Sequence, residues 1–279
     1  SAIGTASLVG VETGDDVTLG GSGTYTFATA NIGTSITITT TGFTISGAQS
    51  GNYTITQPTL TADITAKALT VTGLTGDNKE YDSTTAASAS GTGVLSGVEG
   101  ADAVALVDGS VFTFATANIG TGITITTTGF TLSGGDSGNY TLTQPTLAGN
   151  ITSKALTVTG FTGDNKQYDD TTTASASGTG VLSGVVGADA VALVDGSVFT
   201  FATANVGTGI TITTTGFTLS GGDLANYTLT QPTLSADITA KNLTITGVTG
   251  NNKVYDATTT VSAIGTASLV GVETGDDVT

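Results

Sequence analysis

Three copies of one polar cluster carry most of the chemistry this sequence can offer. Lys79, Tyr81 and Asp82 recur as Lys166, Tyr168 and Asp169, and again as Lys253, Tyr255 and Asp256. A phenol beside an ammonium and a carboxylate could form a binding site. The commoner arrangement places the ring on the edge of a core and uses the carboxylate to cap a turn, and that is the expectation here. Carboxylates in turn-like segments suggest a second chemistry: Asp77 and Asp82, Glu99 with Asp102, and Asp136. The matching sets at the two ends are Glu12 with Asp15 and Asp16, and Glu273 with Asp276 and Asp277. Hard oxygens of this kind are what calcium takes. No loop, however, carries the dense Asp/Asn ladder of an EF-hand or a nonapeptide calcium loop. Solvated turn carboxylates are therefore expected, with no metal site assigned. A third chemistry is covalent. Lys67 or Lys79 with Asn52 or Asn139 could close a Lys–Asn isopeptide, a staple of use to small domains without cysteine, although surface lysines near aspartates are the simpler reading.

Composition removes other classes. Cys, His, Met and Trp are all absent, which excludes disulfides, thiolate nucleophiles and zinc–thiolate sites and takes away the commonest general base. The glycines of Gly91-Thr92-Gly93 fall between strand-like runs, not before a helix, so no phosphate loop is read. Nothing marks a glycosidase-type carboxylate pair. The expectation is no enzyme, no catalytic residue and no cofactor. With 22 acidic and 6 basic residues the formal charge is −16, which argues against nucleic acid and anionic membrane as partners. No run reaches the ~18 apolar residues of a membrane span.

The elements that must position these groups repeat with them. The interval is 87 residues (168 − 81 = 87), and Lys67, Lys154 and Lys241 keep it, as do Asn52-Tyr53, Asn139-Tyr140 and Asn226-Tyr227 and the prolines Pro58, Pro145 and Pro232. Residues 1–18 recur identically at 262–279. Within each interval, Ile, Val, Leu and Phe alternate with Thr and Gly, as in 123–132, 140–147 and 155–160. Period 2 is the mark of strands with one buried face, and Thr and Val suit a pleated surface. Only 101–107, rich in Ala, is helix-compatible. Asp108-Gly109 and Asp195-Gly196 lie between apolar runs and are expected to be two-residue hairpin turns.

The spacing predicts an all-β chain of tandem small antiparallel β-sandwich domains, Ig-like or β-grasp-like, of 87 residues each. Expected boundaries follow Ile64, Ile151 and Ile238. They give a partial repeat at 1–65 lacking its first strands, full repeats at 66–152 and 153–239, and a partial repeat at 240–279 with first strands only. No Gly, Pro or charge run separates the repeats, so a rod or filament is expected over a flexible string.

The blocks KALTVTGLTGDNKEYD (67–82), GVLSGVEGAD (93–102), FATANIGTGITITTTGFTLSGGDSGNYTLTQP (114–145) and ITSKALTVTG (151–160), in that order, resemble the YDG-type repeats. Such repeats occur with related MBG-type repeats in very large bacterial surface and secreted adhesins. Where a glycine usually follows Tyr-Asp, this chain has Ser83, Asp170 and Ala257. The resemblance implies an extracellular all-β module in a stalk or adhesive fibre, with no catalytic residue. The expected partners are adjacent copies of the same repeat, in the same chain or head to tail in a filament. A competing expectation is a multivalent module that binds glycan, ice or a host surface. The Asn-Tyr-Thr triplets at Asn52, Asn139 and Asn226 match the glycosylation pattern, but their use is not expected in a bacterial protein.

Overall fold

A computed structural model describes residues 2–279, and the described residues are strands, turns and three single-turn 3-10 segments. The chain divides into two compact units. One holds Ser1–Asp77, Ala86–Ala115 and Thr124–Gly149; the other holds Asn78–Thr85, Thr116–Ile123 and Asn150–Thr279. Residues 153–239 lie wholly in the second unit and show one complete repeat.

That repeat builds two facing sheets. In the smaller, Lys154–Gly163 pairs antiparallel with Ala176–Ser183 and parallel with Tyr227–Thr230. The larger runs in the order Lys166–Gln167, Thr233–Thr239, Gly207–Thr215, Val198–Phe201, Thr173–Ala174. Its outermost pair, Lys166–Gln167 with Thr233–Thr239, is parallel and its other pairs are antiparallel. The sheets are thus mixed within an all-β architecture. Parallel neighbours need a long connection, and here almost a whole repeat supplies it.

Alternation decides what is buried. From the larger sheet Phe201, Ile212, Ala236 and Ile238 form a cluster, against which Tyr168, Ala174, Phe199, Ile210 and Leu234 pack. The smaller sheet contributes Leu156 and Val158, both buried. Phe161 joins the two, its ring 5.8 Å from Phe199 and 5.4 Å from Phe217. Each such side chain contributes roughly 1.5–3 kcal/mol when fully buried. Gly163 marks a close approach, since a Cβ there would stand 2.8 Å from Ile212 Cδ1. Thr214 is also buried, and its hydroxyl has no partner, as is true of Thr127 and Thr40 one and two repeats earlier.

Asp195-Gly196 is not a hairpin turn. Ala192–Val194 pairs with Thr218–Ser220, while Val198–Phe201 pairs with Gly207–Thr215. The two ladders are legs of one ribbon, and Asp195-Gly196 is the bend between them. Asp195 Oδ1 accepts the Ser197 N–H at 2.9 Å. Opposite the bend lies Gly216 (φ +91), where a Cβ would strike the Gly196 carbonyl. Asp108-Gly109 behaves the same way, with Gly129 across from it. The correction has a physical cause: an Asx turn and a Gly pair kink a ribbon as readily as they reverse it. The true ribbon tips are 28–32, 115–119 and 202–206. In 101–107, Ala105–Val107 is a strand and Asp102 sits in a turn.

Candidate functional site: the repeat junction

The ribbon tip of one repeat meets the Asn-Tyr pair of the next. Ile119 N–H donates to Asn226 Oδ1 at 3.0 Å, and Asn226 Nδ2 donates to Asn118 Oδ1 at 3.3 Å. Asn226 is 4% exposed, so both halves of its amide are committed where water would otherwise serve. Leu224–Asn226 is a 3-10 turn whose following residue, Tyr227, opens the next strand. The turn is what aims Asn226 sideways and Tyr227 inward.

Tyr227 completes a second, stronger contact. Its hydroxyl donates to Asp189 Oδ2 at 2.7 Å and accepts the Val186 N–H at 3.0 Å. Tyr81, from the preceding repeat, donates to the same Asp189 Oδ2 at 2.7 Å. The two rings meet edge to face with centroids 5.3 Å apart, a favoured aromatic geometry. One carboxylate therefore ties two phenols, and the phenols come from different repeats. Burial, then the Asp189 hydrogen bond, raises the Tyr81 hydroxyl above its ordinary value. The same causes push Tyr227 up to about 12. Hydrogen bonds from Tyr227 and Tyr81 hold Asp189 below the usual carboxylate range. Groups displaced in these directions exchange no protons near neutrality, the opposite of what acid–base catalysis needs.

The junction recurs. In the first compact unit, Ile32 N–H donates to Asn139 Oδ1 at 3.0 Å, Asn139 Nδ2 donates to Asn31 Oδ1 at 3.1 Å, and Tyr140 donates to Asp102 Oδ2 at 2.6 Å. A cavity of about 440 Å³ opens beside them, lined by residues that include Thr65, Lys67, Glu99, Asp102, Asn139 and Tyr140. Further along, Tyr168 donates to Asp276 at 3.0 Å. That bond, then burial, pushes its hydroxyl up to about 12.

The Lys-x-Tyr-Asp clusters hold the turns that deliver these tyrosines. Lys166 donates to Asp169 at 2.6 Å and to the Thr171 carbonyl at 2.6 Å, and lies 5.6 Å from the centre of the Phe201 ring. The Lys166 bond is the main cause that brings Asp169 down to about 2. Asp82 accepts the Thr84 N–H at 2.9 Å and pairs with Lys79. The aspartate caps its turn in all three copies, and the ring lies on the core edge at Tyr81 and Tyr168, as anticipated from residue type, whereas Tyr255 is 90% exposed. Ser83, Asp170 and Ala257, where the glycine of YDG-type repeats usually stands, have φ of 64, 57 and 58. The backbone keeps the left-handed turn that favours glycine, at a cost of about 1–2 kcal/mol for other residues.

The other candidates disperse. Glu99, Asp102 and Asp136 line one cavity; Asp77 and Asp82 are not among its walls. Asp77 accepts from Ser88, Asp102 from Tyr140 and Asp136 from the Ala103 N–H. Lys67 and Asn139 share that cavity, but the ammonium lies on Glu99 and the amide is held by the ribbon tip. In the middle junction Val186 replaces the glutamate, and Lys154 pairs with Glu80 of the preceding repeat at 2.9 Å. Asp189, Asn118 and Asn31 escaped residue-type reasoning. Their recurrence every 87 residues was the available signal.

Comparison with curated proteins and with solved structures finds no match. The YDG domain family matches residues 1–61, 65–147, 152–234 and 239–279. The chain, with its Tyr-Asp turns and repeated junctions, belongs to the YDG domain family.

Proposed function

We propose that this chain is a structural repeat region of a bacterial extracellular fibre, stalk or adhesin. Its partners are neighbouring repeats, and it works without catalytic residue, cofactor or metal. The observation that carries the reading is the Tyr81–Asp189–Tyr227 brace, in which one carboxylate fixes two repeats together. Such a brace sets the angle between repeats and transmits load along the array. Location outside the cell follows from the kinds of protein in which YDG-type repeats occur. Electron microscopy of single particles tests the reading. Extended particles of one length, unchanged by a calcium chelator, are expected. Flexible strings of variable length would overturn it, and collapse on chelation would overturn its metal-free form. Saturable binding of an isolated glycan on an array would favour a multivalent binding module instead.

A further inference from the structure

The two complete repeats share a frame of two phenylalanines but differ in what stands against it. Phe199 and Phe217 lie with centroids 6.5 Å apart at 73°, and Phe112 and Phe130 with centroids 6.5 Å apart at 74°. In the repeat at 153–239 the Phe161 ring packs on both, at 5.8 and 5.4 Å, and its Cε2 would stand 2.8 Å from a Cβ at Gly180. In the repeat at 66–152 the same position is Leu74. The atoms nearest to a Cβ at Gly93 belong to Leu106, Val71 and Phe130, the last at 3.6 Å, and none to Leu74. The frame has not closed over the shorter side chain. A cavity of about 350 Å³ opens there, lined by residues that include Leu74, Gly93, Leu106, Phe112 and Phe130, and Asp108 is the only charged group among the described residues of its wall. Every strand of this repeat pairs within residues 67–152, and the whole wall belongs to one compact unit.

We propose that this cavity is a binding site for a small monocyclic aromatic amine. The ligand's ring takes the place that the Phe161 ring fills one repeat later, against two phenylalanines set edge to face, a geometry that aromatic rings favour. The volume exceeds the roughly 150 Å³ of an apolar cavity that holds benzene, and it falls within the roughly 300–1,000 Å³ of small-molecule sites. The amine faces Asp108, which is exposed at the bend of its ribbon and accepts the Ser110 N–H at 2.9 Å. That bond holds the Asp108 carboxyl below the usual carboxylate range. An ionised carboxylate on an otherwise uncharged wall attracts a cation and repels an anion, and the net −16 of the chain acts in the same direction. The proposal goes beyond the structural-array reading, because no residue of the Tyr81–Asp189–Tyr227 brace lines this cavity.

A single side chain gives the site to one repeat and withholds it from the next. Leu106, Asp108, Phe112 and Phe130 recur as Leu193, Asp195, Phe199 and Phe217, so the frame and its carboxylate are common to both. Leu74→Phe seals the site with a ring that the same frame already accommodates. Phe161→Leu opens a second site.

Amide NMR of the whole chain, titrated with benzylamine, tests this. Shifts at Gly91 and Gly93 with a Kd of about 1 mM or below are expected. Leu74→Phe is expected to weaken binding roughly tenfold or more without loss of fold, and Phe161→Leu to add shifts at Gly178 and Gly180. Benzoate, an aromatic ring of the same size bearing a carboxylate, is expected to bind roughly tenfold or more weakly than benzylamine. Where Phe161→Leu unfolds its repeat, Leu74→Phe alone decides. Absence of shifts, or binding indifferent to Leu74→Phe, would remove the site. Benzoate bound as well as benzylamine would overturn its ligand class. Either failure leaves the structural-array reading, which electron microscopy tests, where it stood.

Discussion

The repeat at 153–239 and the first repeat contain the same ribbon and the same following strand, yet differ in what is buried. Phe201 and Ile212 are sealed; Phe27 lies in an open cavity and Ile38 is half-buried. The ribbon's own sequence is not the cause, because apolar residues alternate in both. The cover is. Strand Lys154–Gly163 brings Leu156, Val158 and Phe161 over the larger sheet, and no described strand does this for the first repeat. A repeat of this kind holds its core in two halves, and the strands before the Tyr-Asp turn carry one of them.

The largest test of this contrast is Phe201→Ala against Phe27→Ala in denaturant unfolding at low protein concentration. Loss of the sealed ring is expected to cost about 4 kcal/mol, and loss of the open one about 1 kcal/mol. Equal effects would mean that the first repeat is covered in solution. Next is Tyr81→Ala against Tyr255→Ala. The braced tyrosine is expected to cost about 3 kcal/mol, and the exposed one to stay within about 0.5 kcal/mol. A large loss at Tyr255 would show that its ring is packed in solution and would break the contrast between braced and exposed tyrosine.

The brace also has a pH signature. Tyr81 and Tyr227 hold their protons more tightly when folded. Their contribution is whole below the ordinary 10.0 and is lost as pH rises, for Tyr227 through about 12. Asp189 has the opposite sign: its contribution is present above the ordinary 3.8 and is lost as pH falls through a lower folded value. Melting temperature should be flat across neutral pH and fall at both extremes, with a smaller alkaline fall in Tyr81→Phe. A steep change between about pH 5 and 9 would place control in some other group.

The smallest expected effect is a gain shared by both regions. Thr214 and Thr40 are buried with unpartnered hydroxyls, so Thr214→Val and Thr40→Val should each add about 1 kcal/mol. A gain at Thr214 alone would show that Thr40 is wetter than its burial suggests.

Period-2 alternation, the 87-residue interval and the Tyr-Asp turn were legible because they are local or repeat in register. Alternation says which face of a strand is apolar, and an Asp two residues before a Thr N–H is enough to cap a turn. The Asp-Gly bends were misread because a kink and a reversal use the same residues. The partners of Asp189 were not legible at all: Tyr81 lies 108 residues away and Tyr227 lies 38.

By itself, then, the sequence determined the strand pattern, the count and register of repeats and the chemistry of their turns, all of which follow from side-chain period and backbone preference over a few residues. Only the tertiary structure decided which ladders run parallel, which ring each strand covers and which two tyrosines share a carboxylate. Those depend on how distant ribbons cross, and side-chain alternation carries no information about the identity of a strand's neighbour.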